Sequence, residues 1–400
     1  MSESTCLLSR QPIFGPAMEV AAYELRTHYG ALEQRSESSD DQLRTIYKMF
    51  TDTGLDEVVG EHPGLVTLTS EALTEGLWKT IPKSRVMLGY LDSFEASDKT
   101  SKLLSDVAAE GYRLAVSGNL SEDCLGLLNN KTHTVILDVT RYTPDELRKR
   151  VDYLRGYKSR IAAAGVDTYD DLEYCKDLKF DFYQGHFLFR PAAQVQNIPV
   201  NRMNMLRLLS KLHDSKMEMA EIEKLISQDV ALTYRILQYA NSAGMALRSK
   251  VNSAGHAVRL IGLNTIRNWS SALLLSSVDN KPRELMTSAL VRARMCELLS
   301  ESVQGAEKES FLSAGLLSVL DALLDCPMEK ALSELPLADD IKAALIDGTG
   351  PIGKALTCTI AYERADWNNV RFNGLAPAAV RSKYMTAIGW ARKLTDDLLN

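Results

Sequence analysis

Residues 134–162 read TVILDVTRYTPDELRKRVDYLRGYKSRIA, and this stretch decides the fold of the first half of the chain. An apolar β-type run, Thr134–Leu137, ends at Asp138. Thr143-Pro144-Asp145-Glu146 is a helix start, with a hydroxyl cap, proline at the first helical position and acids in the first turn. Leu147, Val151 and Leu154 follow at helical spacing, and a second apolar run opens at Ser159. A strand, a crossover helix and a second strand lay the two strands parallel.

Outward from this unit the pattern repeats. Candidate strands are Val20–Leu25, Leu65–Leu68, Arg85–Leu88, Arg113–Val116, Thr134–Leu137, Ser159–Ala162 and Phe180–Phe187. From Arg85 on, they begin 21 to 28 residues apart, with amphipathic runs such as Lys102-Leu103-Leu104 and Val107-Ala108 between them. Such units closing on themselves predict a TIM-like (β/α)8 barrel. An open doubly wound sheet is the alternative, but no Gly-rich loop follows the first strand to support it. After Arg190-Pro191 the pattern changes. Residues 191–200, PAAQVQNIPV, read as a linker, and from Asn201 only helices are predicted. Ile222, Leu225 and Ile226 mark one helix face; Asp229 caps a helix over Val230–Ala240; Ser253 and Gly262 bound another; Asn264 caps the next. Further helices fall at about 283–303, 309–325, 338–347, 351–365 and 376–398. The expected architecture is α/β plus all-α: a barrel domain over 1–192 and an all-helical domain over 198–400.

Composition narrows the function. At 400 residues the chain exceeds one ordinary core, and 45% hydrophobic with 24% charged residues excludes a disordered, collagen-like or disulfide-scaffold protein. A net charge of −6 gives no footprint for a polyanion, so no nucleic acid is expected; the basic residues Arg235, Arg248, Lys250, Arg259 and Arg267 read as a solvated helix face. Six scattered cysteines without CxxC suggest reduced thiols. The start, MSESTCLLSRQPIF, has no signal-peptide pattern, and no apolar run would span a bilayer, so a cytoplasmic location is expected.

A barrel of this kind places its chemistry at the C-terminal strand ends. Those ends carry two carboxylates, Glu24 and Asp138, among Thr67, Gly89, Ser117-Gly118, Ala164 and Gln184. A hard divalent cation takes about six oxygens. Two carboxylates fall short of a two-metal site, and Glu24 and Asp138 are read as structural.

The runs Arg10-Gln11-Pro12-Ile13-Phe14 and Ala22-Tyr23-Glu24-Leu25, with Val166-Asp167-Thr168 and Asp181-Phe182-Tyr183-Gln184-Gly185 downstream, resemble EAL domains over about residues 7–191. These are barrel phosphodiesterases that linearise cyclic di-GMP. Leu25-Arg26 stands where the signature has Ala-Leu, and Glu71-Ala72-Leu73 is a decoy in a helix start. The resemblance implies that Gln11, Glu24, Asp138 and Gln184 survive from the family's site. It equally implies that other site positions are lost. The metal-binding Asn and Glu fall at Thr67 and Gly89, the paired aspartates at Ser117 and Gly118, the water-positioning Lys at Ile136, a catalytic Glu at Ala164 and a phosphate-contacting Arg at His28.

Residues from about 198 to 386 resemble the HDOD domain, an all-helical relative of HD phosphohydrolases. The resemblance rests on Leu225-Ile226-Ser227-Gln228-Asp229-Val230-Ala231-Leu232, Tyr239-Ala240-Asn241-Ser242 and Ala257-Val258 with Ile261-Gly262. Ser318-Val319 stand where a hydrolase needs His-Asp, and His213-Asp214 is a second decoy, with Asp214 capping a turn. The joint reading is a bacterial EAL–HDOD signalling protein with no metal, no cofactor and no enzymatic activity. It would act as an adaptor on protein partners (a sensor kinase, a cyclic di-GMP enzyme or a motility regulator) and bind cyclic di-GMP weakly or not at all. The alternatives are a non-hydrolysing cyclic di-GMP receptor and a residual phosphodiesterase centred on Glu24.

Overall fold

The computed structural model describes residues 6–29, 54–68, 70–90, 98–117, 133–192, 200–214, 216–227, 230–241, 251–276, 278 and 281–399. Eight strands, β1 (Cys6–Phe14), β2 (Val20–Tyr29), β3 (Gly64–Thr67), β4 (Val86–Tyr90), β5 (Arg113–Ser117), β6 (Thr134–Asp138), β7 (Arg160–Ala164) and β8 (Phe182–Gln184), close into a barrel in chain order. The predicted TIM-like barrel is therefore present, with one departure. Neighbours from β2 to β8 are parallel, but β1 runs antiparallel to both β2 and β8. A turn too short for a crossover helix causes this: the Gly15 N–H donates to the Glu19 carbonyl at 2.9 Å, and Met18 adopts φ 64°.

The sequence reading did not mark β1 as a strand, and Pro12 within it departs from the usual strand pattern. Its position explains the tolerance. Tyr23, opposite Pro12, turns its N–H away from β1 to the Pro63 carbonyl. Residues facing each other across an antiparallel pair orient alike, so the missing Pro12 donor falls on the β8 side, where pairing is confined to Phe14 and Tyr183.

The described crossover helices are α1 (Leu55–Val59), α2 (Ser70–Thr74), α3 (Asp98–Ala109), α4 (Pro144–Leu154) and α5 (Tyr169–Asp177). Helix α4 starts as its sequence dictates: the Thr143 hydroxyl accepts from the Glu146 N–H while the Glu146 carboxylate takes the Thr143 N–H, and Leu147, Val151 and Leu154 are buried. Inside the barrel, Ile13, Ala22, Leu65 and Ala115 pack with Met87, Ile136 and Phe182.

The C-terminal part is helical, as predicted: α6 (Val200–His213), α7 (Met219–Ser227), α8 (Val230–Ala240), α9 (Ala254–Ile261), α10 (Leu263–Ser276), α11 (Arg283–Ser300), α12 (Lys308–Leu317), α13 (Leu320–Leu324), α14 (Met328–Ser333), α15 (Asp339–Asp347), α16 (Gly350–Glu363) and α17 (Pro377–Leu399). The buried face of α11 is the core, with Leu285, Ala289, Ala293, Cys296 and Leu299 inward. Gly315 lets α12 cross it: a Cβ there would lie 2.5 Å from the Ala293 Cα. Helices α6 and α14 were not anticipated. The helix expected over 309–325 breaks, because Val319 leaves helical geometry at ψ 10° and the Ser318 hydroxyl turns back to the Gly315 carbonyl at 2.7 Å. Asn264 lies in the first turn of α10 rather than at its cap, and Asp229 lies outside the described residues. The residues divide into two compact units; Tyr362–Asn368 group with the barrel, and Phe189–Ala361 with Asn369–Asn400 form the other. Among the described residues, no helix is long and apolar enough to cross a membrane.

Candidate functional site

Strand register sets the barrel mouth. Side chains two apart on a strand share a face. One step beyond the apolar layer, the registers Gln11–Glu24, Thr67–Gly89 and Asp138–Ala164–Gln184 continue the inward parity. Ser117 shares it, and Ile136 belongs to the apolar layer beneath. These positions thus lie on one face of one sheet.

Three of them make direct contact. Gln184 Nε2 donates to Glu24 Oε2 at 2.7 Å and lies 3.1 Å from Gln11 Oε1, all three side chains being buried. Arg26 Nε donates to the same Glu24 oxygen at 2.8 Å. The sequence reading did not weigh Arg26 as part of this group. The signal was its place two residues after Glu24 in a strand, which puts both on one face.

The other positions stand apart. Asp138 accepts from the Thr140 N–H and hydroxyl and from Arg141 Nε at 2.9 Å, so it caps the turn that follows β6. Thr67 Oγ1 is buried without a partner among the described residues, and a Cβ on Gly89 would lie 2.7 Å from it. Any side chain at 89 must displace Thr67. His28 stacks on Trp367, with centroids 6.1 Å apart. Gly118 lies outside the described residues.

Glu24 already faces a guanidinium, and among the described residues no group of three His, Cys, Asp or Glu could hold an ion. No metal-dependent step is assigned to these residues.

In the helical unit, Ser318 ends α12 and receives a hydrogen bond from Arg292 Nη1 at 3.3 Å, while Val319 is buried. Asp214 caps a turn as expected, its Oδ1 accepting the Lys216 N–H at 2.9 Å. His213 does more than the sequence suggested. It closes α6 with its ring Nε2 3.0 Å from Ser271 Oγ, and burial together with the nearby Arg267 charge pushes its pKa down to about 4. It lines a cavity of about 500 Å³.

Residues 198–335 match the HDOD domain. Over 405 aligned residues the chain is 25% identical to the cyclic di-GMP phosphodiesterase CdgJ of Vibrio cholerae, covering 98% of this chain and 93% of that protein. It is 24% identical to YuxH of Bacillus subtilis, covering 97% and 98%. A solved structure of a standalone EAL protein from Vibrio cholerae, with cyclic di-GMP bound, aligns at TM-score 0.36 and 14% identity over 46% of this chain and 92% of that one.

The CdgJ match corrects one expectation. The chain was expected not to be an enzyme, yet a relative aligned along nearly its whole length is named as one. The expectation rested on a count of two strand-end carboxylates and on residue types at single aligned positions. At this identity a slip of one residue along a strand exchanges the inward for the outward face, so such positions do not decide activity. The resemblance read from the C-terminal motifs stands: this chain carries an HDOD domain at 198–335, and it follows a closed eight-stranded barrel in the order the sequence implied.

Proposed function

We propose that this chain is a regulatory protein of cyclic di-GMP signalling in the bacterial cytoplasm, passing its signal on by recognising protein partners such as a sensor kinase, a cyclic di-GMP enzyme or a motility regulator. The observation that carries this reading is the end-to-end similarity to CdgJ, which spans both the barrel and the HDOD domain. The barrel mouth supports it: the buried Glu24 charge is met internally by Arg26 and Gln184, which organises the strand ends as a fixed surface. A second reading, cleavage of cyclic di-GMP at Glu24, is favoured by the name of the Vibrio relative and by Gln184, whose amide donates both to that carboxylate and to Gln11 Oε1.

Deletion of the gene in its own bacterium, complemented with wild type or Glu24→Gln, tests both. Cellular cyclic di-GMP and swimming motility are measured alongside turnover by the purified chain with manganese. Deletion is expected to shift motility, and Glu24→Gln to restore it. Failure of Glu24→Gln to restore motility, together with wild-type turnover that the variant lacks, selects the second reading. A deletion that leaves both cyclic di-GMP and motility unchanged overturns the assignment.

A further inference from the structure

The cavity beside His213 belongs to neither the barrel mouth nor the Ser318-Val319 position. Its volume of about 500 Å³ falls in the range of small-molecule sites. Its lining is polarised. Toward the interior lie Arg267, Asn268 and His213; Glu307, Glu309 and Asp339 are exposed at the edge.

The inner groups have unused capacity. Asn268 is 6% exposed, and its Oδ1 accepts from Ser313 Oγ at 2.7 Å, while its amide nitrogen has no acceptor among the described residues. Arg267 binds the carbonyls of Asp214 and Met217 through Nη2 and faces Asn264 Oδ1 at 3.4 Å through Nη1; the Asp214 charge acts on it, but no carboxylate among the described residues lies within salt-bridge distance. A half-buried guanidinium with no carboxylate in direct contact, and an amide donor without an acceptor among the described residues, favour an anionic group. Ser271 donates its hydroxyl proton to the Arg267 carbonyl at 2.8 Å, so His213 Nε2 is the donor toward Ser271 and Nδ1 is left as an acceptor. The three edge carboxylates repel a polyanion and attract an ammonium.

We propose that this cavity binds a small zwitterion, a free α-amino acid or very short peptide, with its carboxylate toward Arg267 and Asn268 and its ammonium toward Glu307, Glu309 and Asp339. This assignment is independent of the role proposed for the barrel.

Isothermal titration of the full chain tests it, with the twenty free α-amino acids as probes, each beside its N-acetyl derivative and its carboxamide, and with acetate and inorganic phosphate as simple anions. At least one amino acid is expected to saturate with one site. Its N-acetyl and carboxamide forms are expected to bind at least tenfold more weakly, each having lost one charge. Arg267→Met is expected to abolish binding. Because Arg267 also ties two carbonyls, the exposed Glu309→Gln is measured in parallel and is expected to weaken binding severalfold with an unchanged melting temperature. The proposal is overturned if no amino acid saturates at millimolar concentration. It is equally overturned if acetate or phosphate binds as tightly, or if Glu309→Gln leaves the affinity of every probe unchanged.

Discussion

Asp325→Asn is expected to destabilise the helical unit by about 3–5 kcal/mol, the cost of leaving a buried charge uncompensated. The Asp325 side chain is 8% exposed and accepts from Arg202 Nη1 at 2.5 Å, Lys281 Nζ at 2.6 Å and the Ala192 N–H at 2.7 Å; Lys281 is 5% exposed. One anion thus contacts two cations directly, with the Asp321 charge also acting on Lys281. The variant isolates that charge, because Asp325 has φ 54° and ψ 42°, a left-handed conformation that Asn tolerates as Asp does. In a unit of this size about 1 kcal/mol moves the melting temperature by about 2–4 °C, so a fall of about 6–20 °C is expected by calorimetry. Lys281→Met leaves a balanced Arg202–Asp325 pair and should cost less; added to Asp325→Asn, it should restore part of the loss. Burial raises the Asp325 pKa, but the bonds from Lys281, Arg202 and the Ala192 N–H outweigh it and hold the carboxyl below its ordinary 3.8. Its contribution is therefore complete above the unfolded pKa and is lost as pH falls through the lower folded value. An Asp325→Asn loss under about 1 kcal/mol, or a Lys281→Met loss as large as that of Asp325→Asn, would refute the reasoning.

Other consequences follow from single contacts. The His213 pKa is pushed from 6.5 to about 4, so the folded state binds fewer protons and loses stability as pH falls below 6.5. Its share of the loss between pH 7 and pH 5 is about 2 kcal/mol, and urea denaturation at the two pH values should show a loss smaller by that amount in His213→Gln than in wild type. Gly315→Ala should cost about 1–3 kcal/mol by urea denaturation, since its Cβ would press within 2.5 Å of the Arg292 carbonyl oxygen and the Ala293 Cα. Gln184→Leu removes the donor to Glu24 and should lower barrel stability by about 1–3 kcal/mol; thermal melting that matches wild type would show that Arg26 alone satisfies the carboxylate.

Local spacing made much of the architecture legible. The strand spacing from Arg85, the Thr143 cap and the Leu147-Val151-Leu154 face depend on neighbours in the chain, and the structure contains each. Strand β1 was hidden by Pro12, whose missing donor becomes harmless only once the β8 side is placed. The break at Ser318-Val319 was hidden for a similar reason, because apolar residues on both sides keep helical spacing through it.

By itself the sequence determined the order of the two folds, most of their elements and the placing of Glu24, Thr67, Gly89, Asp138 and Gln184 at strand ends, because period two and period 3.6 are written in adjacent residues. Tertiary structure alone decided which of these meet. Gln184 reaches Gln11 across 173 residues, Arg26 takes up the Glu24 carboxylate, and Asp138 turns aside to cap its own loop. It also made a cavity wall of His213, which in sequence stands at the end of a helix before a turn. Barrel closure and helix crossing set those encounters, and neither is encoded in any short stretch of the chain.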